Sequence, residues 1–209
     1  MSKQKIVVFG TGGTIAGKAA SMSDNVGYKA GEVAIGELLA NIPGMQAALQ
    51  GHELVAQQVA QIDSKDMGFD VWRALAMGCR DAMADPDVRG IVITHGTDTL
   101  EETAWFLQCI LSPEIPVVLT SAMRPATALS PDGPQNLLDA VAVALEPDAR
   151  GVLAVAAGAV HEARWVHKAF PYRVDAFSSG EAGPCGWVEE GQVRWVRRPS
   201  TQANSTHTA

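Results

Sequence analysis

Short runs of consecutive apolar residues recur along the chain, separated by longer stretches in which apolar positions return every third or fourth residue. The runs predict strands at residues 6–9, 54–61, 90–94, 117–120 and 152–156. Continuous apolar character, without strict alternation, suits strands covered on both faces of a parallel sheet. Between them, residues 66–84 carry Val71, Leu75, Cys79 and Met83 at four-residue spacing, and 99–111 and 134–145 are rich in helix formers. This β-α-β alternation predicts an α/β fold, an open and mostly parallel sheet flanked by helices. After Ala157 the texture changes. Turn signals fall at Gly180, Gly183-Pro184 and Glu190-Gly191, and residues 185–189 with 192–196 read as a C-terminal β-hairpin. Residues 200–209 are polar and unpatterned, so they are expected to form a disordered tail.

Composition narrows the function classes. At 209 residues, with 47% apolar and 19% charged, the chain suits one substantial globular domain. A net charge of −7 argues against nucleic acid as the main partner, because phosphate contacts need a surplus of Lys and Arg. No stretch of about 18 apolar residues is available to span a membrane. The first apolar run is too short, and too soon followed by glycines, for a signal peptide. Cys79, Cys109 and Cys185 are sparse and lack CxxC spacing, which reads as reduced thiols and a cytoplasmic compartment.

The chemistry-bearing residues lie just beyond predicted strands. Gly10-Thr11-Gly12-Gly13-Thr14-Ile15-Ala16-Gly17 follows the first, in the position where open α/β sheets bind ligands. A phosphate-binding P-loop fails there because Ala19 has no hydroxyl for magnesium, and a dinucleotide fingerprint fails at Ile15. A glycine turn made for packing alone competes with a loop whose threonines act as nucleophiles. Thr94-His95-Gly96-Thr97-Asp98-Thr99 follows the third strand, and Thr99 with Glu102 has the pattern of a capping box. Asp98 either helps to cap that helix or holds a ligand ammonium. His95 reads as a structural histidine. After the second strand, Ser64 or Asp66 either caps the next helix or faces the same ligand position from Ile62-Asp63-Ser64-Lys65.

Together these segments resemble the bacterial-type L-asparaginases. The residues 11–17 and 94–99 look like that family's two diagnostic motifs, in order and separation. Lesser matches run through Gly27-Tyr28, Asp63-Ser64, Ala122-Met123-Arg124-Pro125, Asp132-Gly133-Pro134 and Arg150-Gly151-Val152-Leu153. The resemblance implies a flavodoxin- or Rossmann-like domain over residues 1–199 that converts L-asparagine to L-aspartate and ammonia, with L-glutamine a slower substrate. It implies Thr14 as nucleophile with Tyr28 beside it, Thr97, Asp98 and Lys168 as a second catalytic group, and Asp63, Ser64, Thr97 and Asp98 as substrate ligands. Lys168 is placed by counting from Arg150-Gly151. No cofactor or metal is implied, and the family builds homodimers or homotetramers. The family's usual second domain is expected to be absent, since the chain ends where it would begin. Lys65 departs from the family's neutral residue and is expected either to point away from a substrate ammonium or to alter specificity.

Overall fold

A computed structural model describes residues 3–24 and 26–200. Its main sheet has eight strands in the order β10-β9-β6-β5-β4-β3-β1-β2. β1 (Lys5–Gly12), β2 (Glu53–Ile62), β3 (Val88–Thr94), β4 (Val117–Thr120) and β5 (Val152–Ala156) run parallel. β6 (Ala159–Glu162), β9 (Gly186–Glu189) and β10 (Gln192–Trp195) extend the sheet antiparallel to one another from β5. β7 (His167–Lys168) and β8 (Phe177–Ser178) form a separate two-stranded ribbon. The expected mixed α/β architecture and its terminal hairpin are present.

Side chains alternate across each parallel strand and feed two apolar layers. Ile6, Val8, Val92, Val118, Leu153 and Val155 pack with α1 (Ile35–Ala40), α2 (Met45–Ala48) and α5 (Gly133–Leu145). Val7, Phe9, Ile91, Ile93, Val117 and Leu119 pack with α3 (Phe69–Met83) and α4 (Leu100–Leu111). Fully buried anchors such as Leu75, Leu107 and Leu137 fix these helices, and truncating any one to alanine would cost about 2–5 kcal/mol.

Three expectations need correction. The strand at 54–61 is not covered on both faces: β2 is the sheet edge, and much of it is exposed. Among the described residues only β1 pairs with it, and α1 on one face and α3 on the other cover its apolar run incompletely. The helix expected over 66–84 begins at Phe69, because Ser64–Asp66 forms a separate 3-10 turn and Gly68 stands at the N-cap without a side-chain bond. The region after Ala157 holds an unanticipated strand, β6, reached through a two-residue turn with positive φ at Ala157 and Gly158. That backbone matches the tight turns joining twisted antiparallel strands. Residues 201–209 of the expected tail lie outside the described residues.

Candidate active site

Glycine contacts bring three loops together at the carboxyl edge of the sheet. Gly13, with φ of 77°, lies so close to Gly96 that a side chain on either would collide with its neighbourhood: Gly13 meets Gly96 itself, and Gly96 meets Ser64. The loops after β1, β2 and β3 therefore pack backbone to backbone. Thr14 and Thr97, each one residue beyond a contacting glycine, are both only 6% exposed. β1 and β3 are neighbours at the point where strand order reverses, the position at which such sheets form ligand crevices.

Two hydroxyl-centred groups face this junction. Thr14 Oγ1 lies 2.6 Å from Tyr28 Oη, and either oxygen can donate. Tyr28 is half-buried on a strap whose ends are tied by reciprocal backbone hydrogen bonds between Lys18 and Lys29. The loop after β4 braces that strap: Ala126 N–H donates to the Gly17 carbonyl, Ala19 N–H to Thr127 Oγ1, and Leu129 N–H to the Met22 carbonyl. In the second group, Lys168 Nζ donates to Thr97 Oγ1 at 2.8 Å and to Asp98 Oδ1 at 2.5 Å. The lysine side chain is 19% exposed and the aspartate side chain 55%, so this carboxylate remains open to a ligand.

Ser64 joins the same junction, and Asp63 precedes it as the N-cap of the 3-10 turn Ser64–Asp66. Ser64 Oγ accepts a hydrogen bond from Asp98 N–H, and the Ser64 carbonyl accepts one from Thr99 Oγ1 at 2.8 Å. Thr99 thus occupies the N-cap of α4, but its hydroxyl ties two loops together and does not cap the helix. Asp63 accepts from Lys65 N–H and pairs with Lys65 Nζ at 2.6 Å. Burial works against ionisation of Asp63, yet the hydrogen bonds from Lys65 prevail and hold its carboxyl below the usual range. Lys65 also lies 3.6 Å from Asp66, so its charge is spent on two neighbouring carboxylates.

His95 supports the junction from beneath. Its Nδ1 bonds the Gly96 carbonyl at 2.8 Å, its Nε2 bonds Thr103 Oγ1 at 2.9 Å, and Trp72 Nε1–H donates to that same hydroxyl at 2.8 Å. Complete burial pushes the imidazole down to about 4, against the opposing pull of the Gly96 carbonyl, so it is neutral near pH 7. A neutral ring donates from Nδ1 and accepts at Nε2, which matches these partners.

A family model for the N-terminal region of asparaginase matches residues 5–201. The chain belongs to the asparaginase family. It is 41% identical over 197 residues to a glutaminase-asparaginase of Pseudomonas fluorescens biotype A, spanning 93% of this chain and 53% of that protein. It is 42% identical to a probable periplasmic L-asparaginase of Haemophilus influenzae, covering 94% and 55% respectively. The crystal structure of a probable cytoplasmic L-asparaginase from Campylobacter jejuni superposes with a TM-score of 0.89 at 40% identity, over 94% of this chain and 59% of that one. The chain therefore spans little more than half the length of these asparaginase relatives. No helix among the described residues is long and apolar enough to cross a membrane.

Several supporting residues escaped the sequence reading. Glu101 Oε2 accepts the backbone N–H of Lys168 at 2.5 Å, tying β7 to the first turn of α4. The capping-box pattern drew attention to Glu102 instead, and nothing in local spacing joins Glu101 to a partner 67 positions away. Thr127, Thr103 and Trp72 are likewise defined only by contacts distant in sequence.

Proposed function

We propose that this chain is an asparaginase-type amidohydrolase domain whose Thr14 hydroxyl attacks the side-chain amide of L-asparagine, with L-glutamine as a slower substrate. The observation that supports this reading is the contact between Gly13 and Gly96, the residues just before Thr14 of the Thr14–Tyr28 pair and Thr97 of the Thr97–Asp98–Lys168 group. A threonine hydroxyl is a weak nucleophile and needs a neighbour to take its proton. Tyr28 Oη, at 2.6 Å, is the nearest such neighbour. As the bond from Thr14 Oγ1 to the amide carbon forms, the C–N bond breaks and the proton leaves with nitrogen as ammonia. Water then adds to the acyl-enzyme ester, returning Thr14 to its hydroxyl form and releasing aspartate.

Charge placement suits the rest of the substrate. The exposed Asp98 carboxylate offers a partner for the α-ammonium, and Ser64, at the same junction, one for the α-carboxylate. Asp63 serves this site less directly, since its carboxylate is engaged by Lys65. Lys168 holds Thr97 and Asp98 in register. For the developing oxyanion, Gly13 N–H is already committed to the Ile62 carbonyl, so the N–H of Thr14, at the first position of its 3-10 turn, is the better-placed donor. This reading needs neither a metal nor an organic cofactor.

A second reading is favoured by the coverage: the chain matches little more than half of each relative's length, so by itself it acts as an inactive or weakly active amino-acid-binding domain. In either case we read residues 1–199 as one domain, working in the cytoplasm and as a homodimer or homotetramer. Ammonia release from asparagine, with Thr14→Val as control, separates the two. Release by the parent chain alone supports the hydrolase, whereas equal inertness with aspartate binding in isothermal titration supports the binding domain. Sedimentation of a fully active monomer would refute the oligomer.

A further inference from the structure

A cavity of about 520 Å³ lies away from Thr14, between α2, α5 and the turn joining β9 to β10. Helix α5 contributes one face to it, because Gln135, Leu138, Asp139 and Ala142 recur at helical spacing along its wall. Asp139 is the unusual member. It is 4% exposed, and its one hydrogen bond is donated to Oδ1 by Gln135 Nε2 at 2.8 Å. A buried carboxylate normally has a cationic partner or several donors. None of the residues lining this cavity is Lys, Arg or His, whereas a second carboxylate, Glu190, stands at its rim.

We propose that this cavity is a binding site for a small aliphatic ammonium compound, whose charged nitrogen pairs with Asp139 and whose carbon chain lies against Ala47, Ala48 and Ala142. The chemistry follows from the walls. A desolvated carboxylate with one donor gains most from a compact cation, and Ala47, Ala48 and Ala142 give apolar surface, among Gln50, Gln135 and Gln192, for a short unbranched alkyl chain. Glu190, across the cavity on the hairpin turn, makes an α,ω-diamine a better fit than a monoamine. A divalent metal is a poorer match, because no group of three potential ligands occurs among the described residues. Burial lifts the Asp139 carboxyl above its usual range, opposed by the Gln135 hydrogen bond, and a bound ammonium would reverse that lift. This site stands or falls independently of the chemistry assigned to Thr14.

Isothermal titration of the 209-residue chain with 1,4-diaminobutane at pH 8 and low salt tests it, with 1,4-butanediol as the uncharged counterpart. Saturable one-to-one binding is expected for the diamine, with the diol at least about tenfold weaker, as charge recognition requires. Asp139→Asn, close to isosteric, should weaken the diamine about tenfold or more with little change in melting temperature. Glu190→Gln, on the exposed turn, should weaken it by only about twofold to fivefold. Lowering the pH should abolish binding as Asp139 takes up a proton. Equal binding of the diol, undiminished affinity of Asp139→Asn, or no saturable heat would overturn the proposal. So would amide NMR shifts that map to the Thr14 junction in place of α2, α5 and the 190–191 turn.

Discussion

The parallel and antiparallel parts of the molecule deliver side chains to the candidate site by different means. Thr14, Ser64 and Thr97 stand on loops at the ends of β1, β2 and β3, pressed together through glycine backbone and each less than a tenth exposed. Lys168 comes instead from a two-residue strand in a ribbon outside the main sheet. Its position rests on a few hydrogen bonds: Glu101 to its backbone, and the Ala176 carbonyl to the N–H groups of Ala169 and Phe170. Geometry held by close packing resists small perturbations, whereas geometry held by a few partly exposed bonds yields to the loss of one. The two hydroxyl groups should therefore respond differently to substitution around them.

The largest effect should come from the packed side. Thr14→Val keeps the shape of the buried side chain and deletes its hydroxyl, so it should lower turnover by at least about 100-fold while leaving the fold intact. Ammonia release measures it, and a variant within tenfold of the parent would show that the nucleophile is another residue. Next comes acid sensitivity of the support beneath that side. His95 in the parallel part and His161 in the antiparallel strand β6 are both pushed down to about 4, chiefly by burial, from 6.5 in an unfolded chain. The unfolded state then binds the extra proton, so each histidine's contribution is complete above pH 6.5 and is lost as pH falls toward 4. At pH 4.5 each should have cost roughly 2–3 kcal/mol of stability, read as a lower urea midpoint than at pH 7. NMR titration of the rings gives the direct check. A His95 ring that titrates near 6.5 in the folded chain would break the link between its burial and the Gly96 loop.

The same contrast governs what could be read from sequence. Strands β4 and β5 are continuous apolar runs flanked by polar turns, and their predicted limits, 117–120 and 152–156, coincide with the observed ones. The glycine-threonine loops were visible because glycine, hydroxyl and strand end occur together in one short segment. β2 misled because an apolar run carries no record of whether both faces are covered, and edge position is a property of the whole sheet. β6 was hidden because small apolar residues continue from Ala154 through the turn to Val160, and only the positive φ of Ala157 and Gly158 marks the reversal. Lys168 could be located only by counting along a resemblance, since its neighbours carry no motif of their own. The polar bonds that hold it, to Thr97, Asp98 and Glu101, all join positions far apart in the chain, which no local pattern encodes.

A third test sharpens the comparison at the ribbon itself. Glu101→Gln retains size but removes the charge that accepts the Lys168 N–H. A charge-assisted hydrogen bond of this kind is worth about 1.5–3 kcal/mol, of which the amide oxygen recovers a part. Turnover should fall about tenfold with the melting temperature little changed, because the ribbon contributes few core contacts. Glu101→Ala, which removes the acceptor altogether, should fall further. If both variants retained full turnover, Lys168 would be held by Thr97 and Asp98 alone and the ribbon would be less dependent on single bonds than its exposure implies.

The smallest effect is expected at Lys65, which lies beside the packed loops without being part of them. Its ammonium, 65% exposed at the side chain, pairs with Asp63 and Asp66 on its own 3-10 turn and makes no bond to Ser64, Thr97 or Asp98. Exposed pairs of this sort contribute only about 0–1 kcal/mol, and salt screens them further. Lys65→Gln should therefore change turnover and KM for asparagine by no more than about twofold. Its one predictable consequence is that the Asp63 carboxyl, now held low by Lys65, should rise toward its ordinary value. If KM instead fell several-fold, the cation would have been repelling the substrate ammonium across the loop. Asp63 would then belong to the binding surface after all, and its present pairing with Lys65 would be the contact that substrate must displace.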